Sequence, residues 1–338
     1  MGLRVSVLAS LACCGLLLAI TSLGSRVGVR GVAWRSALVG TSERLGELTV
    51  ASLNVRYAAR VAPGSSKPGR ERPWAERRDA LASQVLWTAP SIIGFQEVLH
   101  AQLEDLGRLL GSEYDHVGVG RDDGKQAGEA VPIFWRRDLL KLVAVEYFWL
   151  APGPENVPGR IGWDASQTRM ATIATLRTHD GTELTAVNTH FDDQGVVART
   201  ESAKLIVAHL QPRIRAGGLV LLTGDLNSAR SEGAYRAITG HRYEDKPDHF
   251  SQHILAAPQT SFLDTRRGAK RYYGEDQTFS GFVGDGSTPG IIDFVMLADN
   301  EAARTWRVTQ AATLPNQLID DGLRFSDHRM VVAKLAHA

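Results

Sequence analysis

The run Leu219-Val220-Leu221-Leu222-Thr223-Gly224-Asp225-Leu226-Asn227 joins four apolar residues to a carboxylate and a carboxamide two positions apart. A short apolar stretch of this kind reads as a buried strand. An acid and an amide at its end aim side by side into one cleft, where they can orient a water. Four further segments repeat the design. Leu48 to Leu53 delivers Asn54, and Ile92 to Gln96 delivers Glu97. Leu184 to Val187 delivers Asn188 and His190, and Ile291-Ile292 leads into Asp293. A sixth, Phe325-Ser326-Asp327-His328, stands just before the last apolar run. Strand ends from adjacent sheets meet at a common edge, so these polar groups can converge.

The rest of the chain supports a large core with this edge. Hydrophobic residues make up 43% and charged residues 22% of the 338 residues, the balance of a globular protein. A formal charge of +1 gives no whole-protein footprint for nucleic acid, so a polyanion would need a local basic patch. Val5 to Leu23 carries no charge and reads as a signal peptide or signal anchor over 1–24, followed by a Gly/Ser/Arg-rich spacer over 25–47. The expectation is therefore a protein secreted, or tethered to a membrane through this segment alone if it is not cleaved. Both cysteines, Cys13 and Cys14, lie in the leader, which excludes disulfides and thiolate metal sites from the domain expected over 48–337.

Strand candidates recur as short apolar or β-branched runs: 48–55, 91–96, 131–136, 142–150, 170–177, 184–188, 219–223, 291–297 and 330–335. Helical periodicity is clearest over Pro73 to Thr88, Leu99 to Leu110 and Val197 to Leu210. Many strands and few helices predict an α/β (α+β) fold with two mainly antiparallel sheets packed face to face and flanked by helices. Ala62 to Arg72, Pro152 to Gly159 and Asp245 to Thr260 read as loops.

Oxygen-rich ligands without thiolates favour a hard cation, Mg²⁺ or Mn²⁺. Such an ion beside carboxylates and two histidines suits hydrolysis of a phosphoester. Each residue alone has a plainer reading: Asn54 as a turn former, Glu97 as a helix cap, His190 and His328 as surface histidines, Asp225 and Asn227 as a β-turn. Their joint order is what points to a site.

That order is S-L-N-V-R (52–56), F-Q-E-V (95–98), V-N-T-H-F (187–191), T-G-D-L-N-S (223–228), I-I-D-F-V (291–295) and F-S-D-H-R (325–329). It resembles the endonuclease/exonuclease/phosphatase superfamily over Leu48 to Leu335. The resemblance implies a four-layer α/β sandwich and water attack on phosphorus with no covalent intermediate. It implies Asn54, Glu97 and Asp327 as metal-site residues and His190 as a phosphate contact. Asp225 and Asn227 orient the water in this reading, and Asp293 fixes His328. The blocks at 128–135, 162–169 and 277–282 resemble the small single-domain branch related to carbon-catabolite-repressor-type deadenylases, and Arg169 within them is a candidate phosphate cation. Some positions depart from family patterns: Arg56 stands where AP endonucleases carry Asp, Ile291 and Phe294 replace Arg and Tyr around Asp293, and Ser280 stands where relatives often have His.

The reading is a monomeric Mg²⁺-dependent hydrolase of phosphoesters, of 3′-5′ RNA exonuclease type with RNA or another nucleic acid as partner. The alternatives are a secreted phosphomonoesterase or phospholipid phosphodiesterase, and a non-catalytic binding module with the same fold.

Overall fold

Alternation along a few strands sets the architecture, because successive side chains of a strand point to opposite faces. In the computed structural model, which describes residues 45–58, 71–240, 261–282, 290–317 and 322–338, two sheets face each other. The chain opens with β1 (Glu47–Asn54), α1 (Trp74–Thr88), β2 (Ile92–Gln96), α2 (His100–Leu110), β3 (Tyr114–Val117) and β4 (Ile133–Arg136). Next come β5 (Leu140–Trp149), β6 (Met170–Thr178), β7 (Glu183–His190), α3 (Val196–Arg215), β8 (Leu219–Asp225) and α4 (Gly233–Thr239). The last elements are β9 (Phe262–Asp264), α5 (Thr265–Gly268), β10 (Arg271–Gly274), β11 (Asp293–Ala298), α6 (Ala302–Thr305), β12 (Trp306–Thr313) and β13 (Val331–His337).

One sheet has seven strands in the order β10-β12-β13-β1-β2-β4-β3, the other six in the order β5-β6-β7-β8-β11-β9. Among the described residues, only β1–β2, β10–β12 and β7–β8 are parallel pairs. Three buried clusters define four layers. Leu48, Val50, Ile92, Leu184, Leu219, Leu221, Val295 and Leu335 lie between the sheets. Ala51, Leu53, Phe95 and Val332 pack against Leu81, Val85 and Leu106 of α1 and α2. Val187, Val220, Leu222 and Met296 pack against Ile206 and Leu210 of α3 and Ile238 of α4. This is the four-layer α/β sandwich with mixed, mainly antiparallel sheets.

The same alternation that buries Leu48 and Val50 between the sheets carries Ser52 and Asn54 onto that face. Leu219 and Leu221 are likewise followed by Thr223 and Asp225, and Leu184 and Ala186 by Asn188 and His190. The space between the sheets is thus apolar at one end and polar at the other. A buried network bridges the sheets where the character changes. Gln96 Nε2 donates to Asn188 Oδ1 at 2.7 Å, and Asn188 Nδ2 donates to the carbonyls of Phe95 and Pro132 at 2.7 and 2.9 Å. Gly94 makes room for it: a Cβ there would lie 2.2 Å from Thr223 Oγ1 and 2.4 Å from Asn188 Oδ1. Gly94→Ala is expected to destabilise the fold by roughly 1–3 kcal/mol through overpacking, read as a lowered midpoint in urea unfolding.

The sequence reading differs from this structure in edge elements. Strands β3, β9, β10 and β12 and helix α4 had no clear signal. Tyr-Asp-His-Val of β3 and Arg-Tyr-Tyr-Gly of β10 are largely exposed edge strands without an apolar run. Helix α3 continues beyond Leu210 through Pro212 to Arg215. Proline at that point forfeits one hydrogen bond near the helix end, while Ile214 beyond it is buried. The leader, most of the spacer, most of the loop at 62–72 and all of that at 245–260 lie outside the described residues. Among those described, no helix is long and apolar enough to cross a membrane.

Candidate active site

The polar end of the inter-sheet space gathers the strand-end residues. Register explains the grouping: Asp225 of β8 pairs with His190 of β7 on one side and Asp293 of β11 on the other. Asn54 reaches across from the opposite sheet. Its Nδ2 donates to Asp225 Oδ2 at 3.0 Å and to Glu97 Oε1 at 2.9 Å. The second Glu97 oxygen accepts the Tyr57 N–H at 3.0 Å. Asn227 N donates to Asp225 Oδ1 at 2.9 Å, so the tight turn suspected from Gly-Asp-Leu-Asn is present and at the same time holds the carboxylate.

Three strand ends enter the site with left-handed backbone at a non-glycine residue: Arg56 (φ 59), Glu97 (φ 60) and Asn227 (φ 43). Such conformations carry strain and persist where surrounding contacts fix them. Here the fixing contacts are the bonds between Asn54, Glu97 and Asp225 and the capture of Asn227 Nδ2 by the Phe191 carbonyl at 3.0 Å.

The two histidines are set to opposite charge states. His328 Nδ1 lies 3.0 and 3.1 Å from the two oxygens of Asp293, and its Nε2 lies 3.6 Å from Asp225 Oδ2. Burial alone would lower its pKa, but the carboxylates of Asp293 and Asp225 outweigh burial and hold it well above the ordinary value. His190 is held well below, by burial first and then by the cations Arg169 and Arg121. Its Nε2 lies 3.0 Å from Asn227 Nδ2, and that amide nitrogen also donates to a carbonyl, so Nε2 accepts and Nδ1 carries the proton. Asp225, 3.6 Å from His190 Nε2, is raised to about 7 by burial and by Asp293, against the opposing pull of His328. Separated values within one cluster are the arrangement that assigns acid and base roles.

Asp327 is buried and raised, by desolvation first and also by Glu97. Two acids that repel each other in a buried place, with no thiol in the described residues, fit a hard divalent cation, which would relieve that repulsion. Glu97 and Asp327 are the residues to hold it, beside the Asn54 carboxamide. A second acid–imidazole group, Asp225, Asp293 and His328, places one ligand atom from each residue within 4.8 Å of the others. There Asp293 is already paired with His328 Nδ1, so we favour the Glu97–Asp327 side.

Arg169 is buried beside the site. Its Nη2 bonds Asp193 at 3.0 Å and its Nε lies 3.4 Å from Asp192 Oδ2. Asp192 also collects the N–H groups of Ser166, Gln167, Gln194 and Gly195. Burial would raise this acid, yet these bonds and Arg169 bring it down to about 2. It pins the 162–169 segment to the start of α3.

Several contributors escaped the sequence reading. Arg77 of α1, fully buried, donates to the carbonyls of Val55, Phe325, Arg56 and Arg72 at 2.9, 2.6, 3.1 and 2.8 Å. It clamps the loop after Asn54 to the segment before Asp327. Arg121 and Glu129 line a small cavity beside His190. The departures also read differently in three dimensions. Phe294 points away from the site into the α3–α4 layer, where it packs on Tyr235. Ser280 Oγ donates to the Asp327 carbonyl at 2.8 Å, so it positions the acid's backbone and makes no substrate contact that the structure shows. Arg56 lies 3.8 Å from Glu97.

Fold and site together define a phosphoester hydrolase of the metal-dependent sandwich type, and the chain belongs to the Endonuclease/Exonuclease/phosphatase family, whose model matches residues 51–328. A family protein of Bacteroides vulgatus is 31% identical, with a TM-score of 0.71 over 86% of this chain and 99% of that one. The mannosyl-6-phosphatase of Bacteroides thetaiotaomicron is 28% identical, with a TM-score of 0.71 over 86% and 99%. The human Nocturnin catalytic domain shares the fold at 15% identity, with a TM-score of 0.60 over 86% and 95%. No curated protein sequence matches the chain.

Proposed function

We propose that this chain is a divalent-metal-dependent phosphomonoesterase acting on a small phosphorylated molecule. The observation that carries the chemistry is the set of bonds across the sheets: Asn54 to Asp225, and His328 to Asp293, with His190 and Asn227 beside them. Asp225, with an affinity for protons near neutrality, takes the proton of the attacking water. Asn227 holds the Asp225 carboxylate in place from below. His328, charged and fixed by Asp293, donates to phosphoryl oxygens as negative charge builds on them. His190 is neutral, and its Nε2 accepts from Asn227 Nδ2 at 3.0 Å, which fixes that amide beside Asp225. A cation at Glu97 and Asp327, when bound, supplies the positive charge that stabilises the phosphoryl oxygens.

For the substrate, 28% identity to a mannosyl-6-phosphatase with full coverage of that chain supports a monoester. The RNA exonuclease reading has less behind it, since the 15% identity to a Nocturnin domain speaks for the fold alone. The test is a panel of hexose phosphates, p-nitrophenyl phosphate, bis-p-nitrophenyl phosphate, oligoribonucleotides and sphingomyelin, assayed on residues 45–338 with Mg²⁺. Turnover of monoesters at least 10-fold above diesters is expected. Faster cleavage of RNA would overturn the reading. EDTA should abolish the activity, and Mg²⁺ or Mn²⁺ should restore it; full activity in EDTA would exclude the metal role.

A further inference from the structure

Behind His190, on the side away from Asp225, lies a cavity of about 10 Å³, lined by Arg121, Glu129, Val131, Arg169, Met170 and His190. That is room for one oxygen atom. Arg121, Arg169 and His190 each keep a buried nitrogen with no hydrogen-bond partner: Arg121 Nε, Arg169 Nη1 and His190 Nδ1. These residues are only 8, 4 and 6% exposed, so water outside does not satisfy them. The nearest carboxylate oxygens to two of these atoms are too far for a bond, Asp122 at 4.0 Å from Arg121 Nε and Glu129 at 3.9 Å from His190 Nδ1. Unpartnered donors of this kind are rare in folded proteins and call for an explanation.

Charge decides what the cavity takes. The two guanidinium groups are already faced by carboxylates, Arg121 by Glu129 at 2.9 Å and Arg169 by Asp193 at 3.0 Å with Asp192 close by. No excess of positive charge remains for an anion. A hydroxyl suits better, because it accepts from the free N–H groups and donates its own proton to Glu129. The frame is rigid: Arg121 N bonds the Glu129 carbonyl at 3.1 Å, and Asp122 N bonds the Ala127 carbonyl at 3.0 Å, which closes the loop that carries both side chains. A preformed donor–acceptor pair on a closed loop loses little freedom when it binds.

We infer that Arg121, Glu129 and Arg169, with Nδ1 of His190, form a subsite for a hydroxyl group of the substrate, which makes the preferred ester a phosphorylated sugar or polyol. This rests on the phosphomonoesterase reading and narrows it. Free of substrate, the cavity holds a water that the hydroxyl displaces.

The experiment compares mannose 6-phosphate, which carries hydroxyls, with p-nitrophenyl phosphate and methyl phosphate, which have none on the alcohol part. Arg121→Met and the isosteric Glu129→Gln are measured against the wild type. For mannose 6-phosphate, kcat/KM should fall at least 10-fold, mainly through KM, while the value for p-nitrophenyl phosphate changes less than 3-fold. Calorimetry in EDTA provides a readout without turnover: the wild type should bind mannose 6-phosphate at least 10-fold tighter than methyl phosphate, and the variants should erase that ratio. Equal losses on both esters, or an unchanged binding ratio in both variants, would overturn the subsite and leave the cavity as the seat of a structural water. Glu129→Gln preserves shape and keeps an oxygen to accept from Arg121, so it decides the matter if Arg121→Met fails to fold. A wild type that binds with the expected ratio but hydrolyses no monoester would instead sink the phosphomonoesterase reading.

Discussion

Asp225→Asn is expected to lower kcat by roughly 10³-fold or more, about 4 kcal/mol of transition-state stabilisation, with KM little changed. The substitution keeps the shape and removes the basic group; it also leaves one oxygen for two donors, Asn227 N and Asn54 Nδ2, which bind different carboxylate oxygens at 2.9 and 3.0 Å, so one of them meets the new amide N–H. Stability carries a pH signature besides. In the metal-free protein burial and Asp293 raise this acid from 3.8 to about 7, so its charged form is disfavoured in the folded state. Such a group leaves stability untouched below the unfolded pKa, and weakens the fold as pH rises through the window from about 3.8 to about 7. The charged His328 beside it offsets part of that loss. The stability of Asp225→Asn relative to the wild type should therefore improve from pH 4 to pH 8 in EDTA, read as the difference in melting temperature. Near-normal turnover in the variant would remove Asp225 from the water-activating role.

Arg77→Met should bring the largest loss of stability, about 3–5 kcal/mol. The side chain is 0% exposed, and its removal strands the carbonyls of Val55 and Phe325, bonded at 2.9 and 2.6 Å. Burial has already brought its pKa down to about 10, yet it stays charged at neutral pH. Activity should fall with stability, because the two segments it joins carry Asn54 and Asp327. Urea unfolding and kcat measured on the same samples check both parts. A change below 1 kcal/mol would show that water takes over the bonds. Arg77→Lys should recover only part of the loss, since one ammonium cannot reproduce the planar fork.

The strand ends were legible because they break a pattern. An apolar alternation that stops at Asn54, Asp225 or Asp293 leaves a polar side chain on a face whose earlier members are buried. A reader needs only the period of two to place it. The order of the six motifs then gave the sandwich. Arg77 falls in the helical period with Trp74, Leu81 and Val85, so its place on the inner stripe of α1 was legible, but the carbonyls it serves lie in distant segments that no local pattern names. Asn188 reads in sequence as a strand-end group delivered to the cleft and Gln96 as the end of a strand, and only the pairing of the two sheets shows that each satisfies the other. Arg121 and Glu129 are eight residues apart on a loop of glycines and charges, and nothing local tells which of those charges turns inward. The left-handed backbone at Glu97 is invisible for the same reason, since residue type there does not favour it.

Half of the site grows from one sheet and half from the other, so their separation at the site depends on what packs between the sheets there. What fixes it is a missing methyl group at Gly94, where a side chain would meet Thr223 and Asn188. The reacting groups are therefore mounted on two plates whose spacing is a single mechanical quantity, common to every bond that crosses the gap. Any influence that parts the plates, whether a larger residue at 94, a cavity in the layer beneath, or heat short of unfolding, lengthens all of those bonds together. Turnover in this protein becomes a gauge of sheet spacing, and it should decline before the fold itself gives way.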